Sequence, residues 1–64
     1  MNYTNINPGS KIGANQTFTI TVDEAIFFLC YSDIDDSIGW NMPVYDLDLK
    51  QKVEEILRNY LTNH

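Results

Sequence analysis

Carboxylates are the side chains that dominate the chemistry available to this 64-residue chain, which carries nine Asp and Glu against four Lys and Arg. Residues 23–48 contain seven of the nine and no basic residue, whereas the segments before and after each carry about +1. Negative charge concentrated in this way disfavours phosphate backbones and anionic lipids, and it favours a partner with a basic surface. The first expectation is therefore an acidic protein that binds another protein.

The cluster Asp33, Asp35 and Asp36 is the strongest candidate site within this acidic segment. If a helix ends near Ser32, these carboxylates gather at the negative pole of its dipole, where anions are disfavoured. Carboxylates placed against the helix dipole in this way conflict with the usual local preference, and such conflicts are often found at functional sites. The structural alternative is that Asp33 or Asp36 caps a further short helical turn.

Trp40 follows this cluster closely, and two interpretations are open for it. It can serve as an interface anchor, since Trp is enriched in binding hot spots. Alternatively, it is a loop aromatic folded over a small core. The predicted partner-binding site consists of Asp33, Asp35, Asp36, Trp40, Asp46 and Asp48.

Catalytic and metal-binding patterns do not emerge from the remaining residues. The one histidine is the last residue, His64, so nucleophilic chemistry assisted by a histidine base lacks that base. A calcium loop counted from Asp33 would need Gly at position 6 and Glu at position 12, where Ile38 and Val44 stand. Cys30 and His64 are too few soft ligands for structural zinc. We expect no enzymatic activity, no cofactor and no metal.

The length of the chain allows one modest core with a thin stability margin. Cys30 is the single cysteine, so no disulfide can form within the chain, and self-association into a homodimer is the stabilising route left open. The N-terminus has no basic and apolar leader pattern. The apolar run at residues 25–31 is far shorter than the roughly 20 residues that span a bilayer. We expect a cytoplasmic protein without a membrane segment.

Two stretches show clear periodicity. Residues 16–22 alternate polar and apolar side chains and are rich in β-branched residues, which predicts a strand. Residues 47–61 place apolar side chains at helical spacing behind a suitable N-cap at Asp46 or Asp48, which predicts a helix.

Residues 22–32 allow two interpretations. Thr21-Val22-Asp23-Glu24 matches a capping box, which favours a helix that begins near residue 22. The competing interpretation is a second strand, because residues 26–31 are rich in β-formers. We predict the helix on the strength of the cap. Such a helix would be apolar on nearly every side, which would leave one flank for a partner.

The predicted architecture is a single small acidic domain over residues 1–64, of the α+β class, with one clear strand and two helices. Residues 1–15 are expected to form a loosely structured arm that contains a turn at Asn7-Pro8-Gly9-Ser10. A short edge strand near 2–6 would complete it, and residues 41–45 form either a further short edge strand or a packed loop, because Pro43 favours an extended conformation at Met42.

In composition, the chain resembles the small acidic DNA mimics and anti-defence proteins of phages and other mobile elements. That resemblance implies an inhibitor whose carboxylates dock on a basic surface of the kind that binds nucleic acid. Direct binding of nucleic acid by this chain is not expected, because phosphate contacts require Lys and Arg.

The alternative function is that of a dimeric transcriptional regulator. The predicted order of strand 16–22, helix 22–32 and helix 47–61 is similar to the core of the ribbon-helix-helix family. The resemblance implies a strand that reads DNA with outward polar residues. The long link between the two helices and the absence of Arg and Lys on the strand depart from the family pattern.

Overall fold

The computed structural model describes residues 3–63, and these form a four-stranded antiparallel sheet followed by one helix. The strands lie side by side in chain order, and the helix packs against one face of the sheet. The elements are β1 Thr4–Ile12, β2 Asn15–Val22, β3 Ala25–Ser32, β4 Ser37–Trp40 and α1 Leu47–Thr62. The protein is a small α+β domain, but the predicted architecture of one strand and two helices is wrong.

Three short turns connect the strands, and each contains a residue in the left-handed conformation. Gly13 has φ 62°, Asp23 has φ 56° and Asp36 has φ 57°. Glycine adopts this conformation without steric cost, and Asp tolerates it better than most residues. The first two turns have two residues each, because Ile12 pairs with Asn15 and Val22 pairs with Ala25.

The hydrophobic core lies between the inner face of the sheet and one stripe of α1. Residues directly opposite each other in a sheet share a face, so the register places Phe18, Leu29 and Trp40 in one inward row. Val53 and Leu57 of α1 are fully buried against this face. The buried core residues are Phe18, Ile20, Phe27, Leu29, Val53 and Leu57.

The outer face of the sheet is the one turned away from α1. The same register assigns to it the alternate residues of each strand. These outer-face residues are Asn5, Asn7, Ile12, Asn15, Thr17, Thr19, Thr21, Ile26, Phe28, Cys30, Ser32, Ser37 and Gly39.

The two clearly periodic stretches adopt the predicted secondary structure. The strand predicted at 16–22 is β2, and the helix predicted at 47–61 is α1. Asp46 is the N-cap of α1, and its carboxylate accepts a hydrogen bond of 3.2 Å from the backbone N–H of Leu49. Across residues 3–63, no helix is long and apolar enough to cross a bilayer.

The helix predicted at 22–32 is wrong, because this segment is the end of β2, a turn and β3. Phe27 and Leu29 are buried while Ile26 and Phe28 are exposed, which is the period of two that a strand requires. The apparent capping box instead forms the turn between β2 and β3. There Asp23 accepts a hydrogen bond of 2.9 Å from the backbone N–H of Tyr3, rather than capping a helix.

Residues 4–12 form β1, so most of the segment predicted as a loose arm over 1–15 is regular strand. The predicted edge strand near 2–6 overlaps β1 from Thr4 onward, and residue 2 lies outside the described residues. The predicted turn at 7–10 is instead a shift of register between Pro8 and Lys11 within β1. Residues 41–46, all of them described, contain no strand, and Met42 and Val44 pack against the core. Of the two interpretations of residues 41–45, the edge strand is therefore wrong and the packed loop is correct.

The alternation along β3 leads to a test that separates a strand from a helix. Leu29 is 0% exposed and Phe28 is 48% exposed. We expect Leu29→Ala to lower the free energy of unfolding by about 2–5 kcal/mol, because it removes buried methyl groups and leaves a cavity. Phe28→Ala should cost about 1 kcal/mol or less, as a surface change does. Urea unfolding at low protein concentration measures both, and equal losses would contradict the assigned faces.

Candidate functional site

The turn between β3 and β4, residues 33–36, holds the three carboxylates that the sequence singled out. Asp33 accepts a hydrogen bond from the Lys11 ammonium at 3.1 Å, and the two groups form an ion pair. The backbone N–H of Asp33 donates to the carbonyl of Ala14 at 3.0 Å. These contacts fasten the 33–36 turn to the turn between β1 and β2 at the same end of the sheet.

Asp36 is the most heavily bonded residue of the turn. Its carboxylate accepts hydrogen bonds from the Tyr31 hydroxyl at 2.6 Å and from Nη1 of Arg58 at 3.2 Å. A second guanidinium nitrogen of Arg58 donates to the backbone carbonyl of Asp36 at 3.1 Å. Arg58 thus joins α1 to the turn with two bonds, and an exposed ion pair of this kind contributes about 0.2–1 kcal/mol.

Asp35 has a neutral partner instead of a cation. The Ser37 hydroxyl donates to its carboxylate at 2.7 Å. This hydrogen bond lowers the pKa of Asp35 below its ordinary value of 3.8, against a smaller opposing effect of burial. The Asp35 carboxylate is therefore ionised and held in place, and its charge is not neutralised.

The hydroxyl of Tyr31 is the neutral donor to Asp36. Donation to that carboxylate, together with partial desolvation, raises the pKa of Tyr31 above its ordinary value of 10.0, and the Arg58 guanidinium opposes the shift. Tyr31 remains protonated at neutral pH and contributes a hydrogen bond, not a charge.

Trp40 lies at the end of β4, where it covers the edge of the core. Its ring meets that of Phe27 edge to face, with centroids 6.0 Å apart. Its indole N–H donates to the Glu54 carboxylate at 2.6 Å, and the Lys50 ammonium lies 5.8 Å from the ring centroid. The ring is half-buried and its polar atom is bonded, so these contacts favour the structural interpretation of this residue.

Asp46 and Asp48 lie at the start of α1, well separated from the 33–36 turn. Arg58, which contacts that turn, is 12 residues beyond Asp46, and at 1.5 Å per residue this is about 18 Å along the helix axis. The six predicted site residues therefore form three groups: the turn, Trp40 at the core edge, and the start of α1.

Sequence reasoning missed the partners of the acidic turn. Lys11 and Arg58 each lie 22 residues from the Asp that they bind. No local pattern links residues so far apart, and only the assembly of the strands and the helix brings them together.

A shallow depression of about 230 Å³ adjoins the turn, and it is lined by Tyr31, Asp36, Arg58, Leu61 and Thr62. Its polar groups already bond to one another, since Tyr31 and Arg58 both donate to Asp36 and the Thr62 hydroxyl donates to the Arg58 carbonyl at 2.9 Å. In the described part of the chain, no three His, Cys, Asp or Glu side chains are grouped to hold a metal ion. His64 lies outside that part.

No protein-family model, no curated protein and no solved structure matches this chain.

The raised pKa of Tyr31 predicts a loss of stability at alkaline pH. A raised pKa in the folded state means that the contribution is fully present below pH 10.0 and disappears as the pH rises through the folded value. The stability difference between the wild type and Tyr31→Phe should therefore be constant at neutral pH and shrink above pH 10.0. Urea titrations at several pH values measure it, and a difference that does not change would contradict the Tyr31–Asp36 bond.

The lowered pKa of Asp35 predicts the opposite dependence at acidic pH. Its contribution is present above pH 3.8 and is lost as the pH falls through the lower value in the folded state. The wild type should therefore exceed Ser37→Ala in stability at neutral pH, and this advantage should decline below pH 3.8. Thermal unfolding between pH 2 and pH 7 provides the measurement; a pH-independent difference would exclude the proposed hydrogen bond as the cause.

Proposed function

We propose that this chain is a non-enzymatic acidic interaction protein that acts as an inhibitor, docking on a basic surface of a partner protein that otherwise binds nucleic acid. The observation that carries the proposal is how its carboxylates are held. Among the described residues, ion pairs are found at Asp33 and Asp36, whereas the other seven acidic side chains have no cationic partner within 4.0 Å.

Neutral donors hold several of these seven carboxylates in place. A serine hydroxyl binds Asp35, backbone amides bind Asp23 and Asp46, and an indole N–H binds Glu54. A neutral donor fixes the position of a carboxylate and leaves its negative charge available to a partner. Such preorganised charge is what a mimic of nucleic-acid phosphates requires, since less side-chain freedom is lost on binding.

Charge remains at both ends of the predicted site. The 33–36 turn carries three Asp against Lys11 and Arg58, which leaves −1. At the start of α1, Asp46 and Asp48 form no ion pair within 4.0 Å among the described residues, although Lys50 and Lys52 follow them in the first two turns of the helix. The separation of about 18 Å between the 33–36 turn and the start of α1 corresponds to about five base-pair steps at 3.4 Å each. A groove built for duplex DNA therefore has the dimensions to contact both groups.

Asp35, Asp46 and Asp48 carry this proposal, because Asp33 and Asp36 are neutralised by bases of the same chain. Trp40 is not needed as an anchor, since its ring packs on Phe27. We place the protein in the cytoplasm, where nucleic-acid-binding partners are found and where a single thiol such as Cys30 stays reduced.

The ribbon-helix-helix alternative is not retained. It requires a helix over residues 22–32, and that segment lies in β2, a turn and β3.

The proposal predicts that removing three charges without changing side-chain shape weakens docking. We expect the triple variant Asp35→Asn, Asp46→Asn and Asp48→Asn to bind about tenfold more weakly, since three exposed ion pairs at about 0.5 kcal/mol each amount to about 1.5 kcal/mol. Asn caps helices as well as Asp does, so α1 should remain intact. Binding is measured by surface plasmon resonance against immobilised proteins whose duplex-binding grooves are lined with Lys and Arg.

The control removes two charges that no donor among the described residues holds in place, with Glu24→Gln and Glu55→Gln. This control should bind nearly as well as the wild type, and duplex DNA should compete with both. Equal weakening per charge removed in the two variants would remove the assigned residues from the site. Failure of every groove protein to bind at low salt would overturn the proposed function.

The proposal also predicts that the chain itself does not bind DNA. Phosphate contacts dominate non-specific affinity, and a domain of net charge −5 offers few cations for them. Fluorescence anisotropy of a labelled random duplex should therefore stay constant on addition of protein at low salt. A rise in anisotropy that salt abolishes would contradict the mimic and indicate a nucleic-acid-binding protein.

A further inference from the structure

The outer face of the sheet contains no charged side chain, although one residue in five of the chain is charged. Every Asp, Glu, Lys and Arg lies instead in a turn, in α1 or its N-cap, or, for Lys11, in register with inward-facing Gln16. Ile26 and Phe28 lie on this face and are 52% and 48% exposed. Eight of the thirteen outer-face residues are Asn, Thr or Ser, as on a solvated sheet face. The face departs from that pattern in its lack of charge and in its exposed apolar side chains, which are typical of a weak contact surface.

The free edges of the sheet are poorly suited to pairing with another strand. Pro8 lacks a backbone N–H, and the register of β1 shifts between Pro8 and Lys11. At the opposite edge, β4 has only four residues, and Pro43 follows soon after it. Prolines, irregular register and short strands are the devices by which proteins prevent edge-to-edge association. Association through the sheet must therefore use the outer face.

We propose that the outer face binds a second copy of this chain, face to face about a two-fold axis. A two-fold interface brings a surface against itself, so the surface must be self-complementary. Threonine hydroxyls and asparagine amides each provide both donors and acceptors, and they surround the apolar pair Ile26 and Phe28. A partner that binds through opposite charge has no charged side chain to pair with on this face.

The size of the face agrees with a weak but specific dimer. Strands of nine, eight, eight and four residues, about 4.8 Å apart and with about 3.4 Å per residue, give a face of about 470 Å². Two copies would bury about 950 Å² in total, which is below the size of stable specific interfaces and in the range of weak, transient ones. The dimer is therefore expected to dissociate on dilution.

The net charge of −5 does not prevent this arrangement. Face-to-face sheets pack about 10 Å apart, with each α1 on the side away from the partner. α1 carries no net charge, because Asp48, Glu54 and Glu55 are balanced by Lys50, Lys52 and Arg58, so the net negative charge lies mainly in the turns at the ends of the strands. Those turns are about 10 Å from the sheet of the partner copy, slightly more than the Debye length of about 8 Å at physiological salt. Ion pairing with Lys11 and Arg58 also reduces the charge at the 33–36 turn.

A matched pair of isoleucine variants tests the dimer. Ile26 lies on the outer face, and Ile34 lies in the 33–36 turn, where it is 83% exposed. Sedimentation of the wild type over a wide concentration range should show the mass rising from 7.4 kDa towards twice that value. Ile26→Lys should raise the dissociation constant at least about tenfold, because two like charges would be buried near each other. Ile34→Lys should behave as the wild type does.

Labelling of Cys30 by a thiol reagent provides a second measurement, since this half-buried thiol lies on the outer face. Its rate should fall as the concentration of wild-type protein rises, and it should not depend on concentration in Ile26→Lys. A wild type that stays monomeric, or a dimer that both lysine variants preserve, would overturn the proposal. Circular dichroism confirms that each variant is folded. None of these substitutions changes a carboxylate, so failure of the dimer leaves the docking proposal to its own test.

Discussion

A helix with one apolar stripe can cover one face of a four-stranded sheet and not the other, and this constraint organises the whole molecule. The inner face and the stripe of α1 make the core, in which six side chains are buried. The opposite face has no covering element within residues 3–63, so its side chains remain at the surface. Charged residues are excluded from both faces of the sheet except at Lys11, which is why they collect in turns and along the helix.

How far the sequence predicts this fold depends on the contrast between neighbouring side chains. In β2, threonines alternate with Phe18, Ile20 and Val22, so the strand is visible in the sequence. In β3, the outward residues Ile26 and Phe28 are as apolar as the inward ones, and the alternation disappears. Ile26 and Phe28 therefore have two effects. They favour an interface on the outer face, and they remove the polar–apolar alternation by which the strand could be predicted. The turn at Asp23 and Glu24 also favours the incorrect prediction of a helix at 22–32, because its residues match a capping box.

The acidic site shows a different limit. The cap at Asp46 could be predicted because a cap is a local interaction, and the structure confirms it. The partners of Asp33 and Asp36 could not, since Lys11 and Arg58 approach them only after the strands and the helix have assembled. Asp35 differs from both, because its partner Ser37 is two residues away and its charge is preserved. Counting charges along the sequence does not reveal which of them the fold neutralises.

The order of the strands also has a consequence for how the chain folds. Each strand pairs with the strand before or after it, through turns of two to four residues, so closing each hairpin costs little loop entropy. Contacts between α1 and the sheet span longer separations, as between Phe18 and Tyr60, whose ring centroids are 6.0 Å apart. A meander dominated by contacts between sequence neighbours has low contact order for a β-rich protein, and such topologies fold rapidly. We expect the docking of the helix onto β2 to be the slowest ordering step, because the Phe18–Tyr60 contact spans 42 residues.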